Sequence, residues 1–310
     1  MSGPAVIALA YGTPATLDDL EPYYTHIRHG QPPSPELLAE LHERYEAIGG
    51  RSPLLEITQA QAAGVRTALQ AAGQPDVRVV LGMKHAPPFI EDAARDLVDG
   101  GVEGVVGLVL APHYSSMSVG EYASRATAAL RGGSCSPSFA IVRSWATAPG
   151  YVGWLADAVH AALDRLGAAG ADAEVVFTAH SLPERILAAG DPYPAQLLAT
   201  ARAVARAAEL PRWSVAWQSA GRTADPWIGP DILDVLPEIA AAGASAVVVC
   251  PAGFVADHLE VLYDLDIEAA GAARQLGLPF TRTAMPNDDP GLAATLADVV
   301  APLAAEVVQR

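Results

Sequence analysis

Short apolar runs alternate with longer amphipathic stretches along the whole chain. Residues 5–10, 77–81, 105–110, 139–142, 174–178, 214–217, 246–250 and 280–282 read as strands. Most are rich in Val and Ile without polar alternation, the pattern of parallel strands covered on both faces. Between them lie helical patterns such as 59–72 and 191–210. Strands alternating with helices predict a doubly wound α/β architecture. One early helix is clearly bounded: Ser34 can cap it, Pro35 suits its first turn, and Gly49 and Gly50 can end it. Leu37, Leu38, Leu41, Tyr45 and Ile48 form its apolar stripe, and Arg44 and Tyr45 lie near its end, facing the loop 49–54.

The two halves echo one another. Residues 101–113 and 243–254 each run from a glycine through a short hydrophobic strand to a proline-bearing loop, with His113 closing the first and His258 soon after the second. Two related domains are expected, 1–150 and 151–289, with the boundary near 148–152. In such folds ligands collect at the carboxyl ends of strands, at the switch point or between domains, so polar residues just after strands carry most weight.

The length of 310 residues fits two domains or one large α/β unit, and 51% hydrophobic against 17% charged residues excludes a disordered chain. The net charge is −16, and Lys84 is the single lysine. No cluster of basic residues is present to displace counterions from a phosphate backbone, so a nucleic-acid partner is excluded. The longest apolar runs, about seven to eleven residues as in 105–111 and 246–256, fall short of the ~20 that span a bilayer. The opening residues carry no basic segment of a secretory signal. Two cysteines, Cys135 and Cys250, form no disulfide framework and cannot hold a four-thiolate iron-sulfur cluster. These features predict a soluble, cytoplasmic protein without a transmembrane segment.

Three constellations carry candidate chemistry. His180, in the segment 178–184, follows a buried strand, where an imidazole can bind a metal or accept a proton near neutral pH, or simply hydrogen-bond a loop. In 253–268, if helical, Glu260, Asp264 and Glu268 recur every four residues along one side. Such a row is often a solvated face, but the flanking Phe254, Leu259, Leu262 and Tyr263 are too apolar for full exposure. A partly buried carboxylate track, suited to passage of a divalent cation, is expected. Around the first strand, Tyr11, the aromatic run 23–30, Arg28, Arg44 and Ser52 would suit a flat apolar ligand bearing carboxylates, because arginine grips carboxylates through a bidentate fork.

Together these segments resemble the ferrochelatase family along nearly the whole chain. The specific points are AYGTP at 10–14, YYTHIRHG at 23–30, RYEAIGGRSPL at 44–54 and KHAPPFIEDA at 84–93. APHYSSMSVGEY at 111–122, AHSLPE at 179–184, DPYPAQL at 191–197, WQSAGRTADPWIGPD at 217–231 and GFVADHLEVLYD at 253–264 follow in order. Tyr11 and the RYEAIGG segment point to the short, soluble bacterial form, which acts on coproporphyrin III. The resemblance implies an α/β fold of two Rossmann-like domains, each a parallel four-stranded sheet flanked by helices, with a C-terminal helix at 290–310 packing back on the first. It implies insertion of Fe²⁺, as substrate, into coproporphyrin III with release of two protons. His180 and Glu260 would be the catalytic pair and first metal contacts, and Asp264 and Glu268 would continue a metal route from solvent, with an accessory divalent metal possible along that row. Tyr11, Arg28, Arg44, Tyr45, Ser52 and Tyr122 would surround the porphyrin. A monomer working beside the enzymes before and after it in haem synthesis is expected, and although some members carry an iron-sulfur cluster, the two distant cysteines predict none here. Two other readings share these motifs: a protoporphyrin IX ferrochelatase, and a non-catalytic tetrapyrrole or haem carrier, which would have no use for the acidic row. A cobalt or nickel chelatase fits the length and motifs poorly, and a sugar- or amino-acid-binding protein would normally carry an export signal.

Overall fold

The structure, a computed structural model, describes residues 3–132, 136–221, 223 and 225–309; Cys135, expected to be an ordinary packing or loop residue, lies outside them. Among the described residues eight strands form two sheets. β1 (Ala5–Ala10), β2 (Arg78–Met83), β3 (Gly104–Val109) and β4 (Ser138–Val142) align in the order β2-β1-β3-β4. β5 (Glu174–His180), β6 (Trp213–Gln218), β7 (Val247–Cys250) and β8 (Phe280–Arg282) repeat it as β6-β5-β7-β8. Every pairing is parallel. The central strands β1 and β3 are buried at every residue, as their unbroken aliphatic runs require when helices cover both faces.

Strand positions follow the sequence reading, with one shift that matters chemically. β5 runs two residues further than its apolar run, so that His180 is its last residue, paired in register with Gln218 of β6. Hydrophobicity alone ends the strand at Thr178, because the remaining turn of pleat is held by pairing to β6 rather than by apolar content. The early helix forms over Pro35–Ala47 with Ser34 as its cap, the Leu37 N–H donating to Oγ at 3.3 Å. Of its five-residue apolar stripe only Tyr45 is buried; Leu37, Leu38, Leu41 and Ile48 remain partly exposed.

The final helix, Pro290–Gln309, is a longer apolar element than the contiguous runs in the sequence show. Its 20 residues contain an 18-residue stretch of mean hydropathy 1.6, long and apolar enough to cross a membrane by length and composition alone. Scattered polar residues interrupt the contiguous runs counted in the sequence, and a helix-length window averages over them. Here Leu292, Leu296, Val300 and Val307 are buried against the helix Leu54–Ala71 and strands β3 and β4. The approach is close: a Cβ on Gly104, the first residue of β3, would lie 2.8 Å from the Val307 carbonyl oxygen. The helix Leu54–Ala71 also reaches the second half, where the buried Gln61 Nε2 donates to the carbonyls of Val255 (2.9 Å) and Asn287 (2.8 Å).

Candidate active site

The carboxyl ends of β5 and β7 bring His180 and Glu260 together. His180 Nδ1 lies 3.3 Å from Glu260 Oε2, and His258 Nε2 approaches the same oxygen at 3.6 Å. The His180–Glu260 contact is an ion-pair approach without hydrogen-bond alignment, and about a third of each side chain stays accessible. Burial acts to raise Glu260, but His180 and His258 outweigh it and hold the carboxyl well below its ordinary range. Burial likewise acts against protonation of His180, yet the charges of Glu260 and Asp264 prevail and raise its basicity. Behind it, the buried Tyr193 hydroxyl donates to the His180 carbonyl at 3.0 Å. The loop after β7 crosses the end of β5 so tightly that a Cβ on Gly253 would lie 2.5 Å from Ala179 Cβ, and the Gly253 N–H donates to the Thr178 carbonyl at 3.0 Å.

The acidic row is helical but not one α-helix. A short turn, Leu259–Leu262, passes into a wide π-type segment, Asp264–Ala269, in which the Glu268 N–H donates to the carbonyl of Tyr263, five residues back. Such widened turns concentrate at functional sites. The three carboxylates differ in exposure: Glu260 is partly accessible, Asp264 buried and Glu268 exposed. Asp264 is bonded to Arg44 Nη2 and to the Ser219 hydroxyl, and Arg44 stacks over Tyr263 at 4.8 Å. Burial and the charge of Glu260 push Asp264 up to about 6 against the pull of Arg44 and Ser219. No group of three or more His, Cys, Asp or Glu among the described residues is arranged to hold a metal ion.

The N-terminal half contributes the ends of β1 and β2. Tyr11, just past β1, is half-exposed and packs on His85 with ring centroids 4.6 Å apart. Lys84 is buried, with Nζ 2.5 Å from Glu121 Oε2 and over the rings of Tyr11 and Tyr122 at 5.8 and 5.7 Å. Burial and the Lys84 charge bring His85 down to about 3, so it faces Tyr11 and His26 as a neutral ring. Tyr45 is buried, hydrogen-bonded to the Thr13 hydroxyl at 3.0 Å, and burial pushes its phenol up to about 12. Arg28 lies over Tyr24 at 5.8 Å with its Nε buried and without a hydrogen-bond partner. Ser52 is buried and its Oγ accepts from the Leu54 N–H at 3.3 Å, at the start of the next helix. Among the described residues neither Arg28 nor Ser52 hydrogen-bonds to His180, Glu260 or Asp264.

Sequence reasoning gave no site role to Lys84, His85, Tyr193, Gln218 or Ser219. Four of these follow or end strands β2 and β6, the positions that α/β topology favours, so the strand-end rule would have found them.

The family model described as Ferrochelatase matches residues 3–303. The chain belongs to the ferrochelatase family. Among relatives of this ferrochelatase family member, a protein of Anoxybacillus flavithermus named coproporphyrin III ferrochelatase is 46% identical over 95% of this chain and 94% of its own. One of Halalkalibacterium halodurans with the same name is 44% identical over 95% of both chains. The fold is shared with the sirohydrochlorin chelatase SirB of Bacillus subtilis subspecies spizizenii, whose structure superposes with a TM-score of 0.59 over 98% of this ferrochelatase and 96% of SirB, at 12% identity. Two four-stranded parallel sheets flanked by helices are therefore the chelatase architecture that the motifs implied.

Proposed function

We propose that this enzyme inserts Fe²⁺ into coproporphyrin III, giving iron coproporphyrin and two protons. The observation that carries the reading is the His180–Glu260 pair, a basic imidazole at the end of β5 lying 3.3 Å from an ionised carboxylate on the short turn that follows β7. Metallation replaces two pyrrole N–H bonds with iron–nitrogen bonds and strips water from the ion. An imidazole and a carboxylate together offer proton acceptors and transient metal contacts. Both remain partly accessible and the set is open, as a site that hands its ion on requires, in contrast to closed four-ligand structural sites.

Tyr11 and Tyr122, with Lys84 between them, offer one wall for the macrocycle, and Arg28 and Arg44 offer guanidinium forks for propionates. Tyr45 and Ser52 line the same end of the fold. The row of carboxylates from the exposed Glu268 to the partly accessible Glu260 supports entry of a divalent cation from solvent, and an accessory cation along it belongs to the same proposal. The names of the relatives support coproporphyrin over protoporphyrin. Monomeric action in the cytoplasm, beside the enzymes that supply and consume the porphyrin, is part of the same reading. Cys250 is buried with its thiol pushed up to about 12 and takes no part.

The test is anaerobic incubation with Fe²⁺ and either coproporphyrin III or protoporphyrin IX, following loss of free-base fluorescence. Faster turnover of coproporphyrin is expected. Preference for protoporphyrin would keep the chemistry and overturn the substrate, and binding of both without metallation would mean a carrier.

A further inference from the structure

We propose that Gln218 and Ser219, at the end of β6, form a two-pronged bracket that sets where the carboxylates Glu260 and Asp264 stand relative to His180. The inference rests on the ferrochelatase reading above. Both are positioning residues: one holds the backbone of Glu260, the other the side chain of Asp264.

Gln218 is fully buried and every polar atom of its side chain is engaged. Its Nε2 donates to the Glu260 carbonyl at 2.9 Å, and its Oε1 accepts from the Thr178 hydroxyl at 2.7 Å. A carbonyl can only accept, so the Glu260 contact fixes which end of the amide is nitrogen. The Gln218 backbone is tied to the other partner: it pairs in register with His180, and its carbonyl accepts from the Ser181 N–H at 2.7 Å. One residue therefore touches the strand end that carries His180 and the loop that carries Glu260. A buried amide without such partners would leave polar groups unsatisfied, so a simple packing role would be filled better by an apolar side chain of the same shape.

Ser219 supplies the second prong. Its hydroxyl donates to Asp264 Oδ2, and to aim there its backbone adopts φ = +60°, a left-handed conformation that serine seldom takes. Turns of this kind ordinarily use Gly or Asn. Strain held at one residue beside a site indicates that the side chain is needed, because glycine would relieve it. Ser219 and Arg44 hold the two carboxylate oxygens of Asp264 from opposite halves of the molecule.

The serine position separates structure from function by sign. Ser219→Gly removes the strain and the hydroxyl together, whereas Ser219→Asn keeps a polar donor on a residue at ease with positive φ. Each variant and the wild type are compared by thermal unfolding, by porphyrin binding through fluorescence quenching, and by steady-state metallation with Fe²⁺ varied. The expected result for Ser219→Gly is an unchanged or higher Tm, porphyrin affinity within about twofold, and an Fe²⁺ KM raised about tenfold, the scale for losing a partner of a metal-contacting group. Ser219→Asn is expected to recover most of that loss. Gln218→Met is expected to lower kcat about tenfold with porphyrin affinity retained, and if it does not fold the serine series still decides. Wild-type metallation kinetics in Ser219→Gly would overturn the bracket, as would a lowered Tm with parallel weakening of both substrates. Absence of metallation in the wild type would overturn the ferrochelatase reading and the bracket with it.

Discussion

Arg44, on a helix of the first half, pairs with Asp264 in the π-type segment of the second, joining residues 220 positions apart. The contact sets a guanidinium against a buried carboxylate four residues after Glu260, at the start of the π-type segment. Its geometry makes Arg44 both a partner of the acidic row and a candidate porphyrin contact.

Arg44→Met keeps the aliphatic stem over Tyr263 and leaves Asp264 without its cation. Removing one partner of a buried ion pair costs about 3–5 kcal/mol, and the partial exposure of Arg44 sets this pair toward the lower end. Denaturant unfolding at pH 7 is expected to show that loss, and Arg44→Met/Asp264→Asn together less than the sum of the two single effects, because the double variant leaves no buried charge without a partner.

Asp264 gives a pH signature. Its carboxyl is raised from 3.8 to about 6, so between these values the folded protein holds a proton that the unfolded chain has released. Stability from this group therefore falls as pH rises from about 4 to about 6. The stability of wild type relative to Asp264→Asn should decline over that window and level off above it, read from Tm in matched buffers.

His180→Ala should lower metallation at least about 100-fold, the lower end of what a positioned acid–base group contributes. Porphyrin binding and far-UV circular dichroism should stay close to wild type. Retained turnover would remove His180 from the mechanism.

Glu268→Gln tests the outer end of the row. The residue is exposed, so Tm should change little, while the apparent KM for Fe²⁺ should rise more than that for porphyrin. Unchanged metal dependence would make the side chain an ordinary solvated one.

Gly253→Ala would force a methyl against Ala179, where a Cβ would lie 2.5 Å from the neighbouring Cβ. Overpacking of this kind costs about 1–3 kcal/mol and displaces backbone. Since the strain falls one residue before His180, kcat should drop together with Tm, measured side by side.

The sequence alone determined the alternating elements, the parallel sheets and the identity of the candidate pair. Aliphatic runs without polar alternation suit only strands covered on both faces, and His180 and Glu260 sit in motifs long enough to name a family. It did not reach the details that depend on groups distant in the chain. That β5 extends to His180 follows from pairing with Gln218, which hydrophobicity does not register. Burial of Asp264 and exposure of Glu268, equally acidic and four residues apart, follow from Arg44 and Ser219 closing on one and not the other. The last helix illustrates the same division: its composition permits a membrane span, and its packing on β3, β4 and the helix Leu54–Ala71 makes it core. Local sequence encodes periodicity and chemistry, whereas burial, pKa and register are set by which neighbours folding brings within a few ångströms.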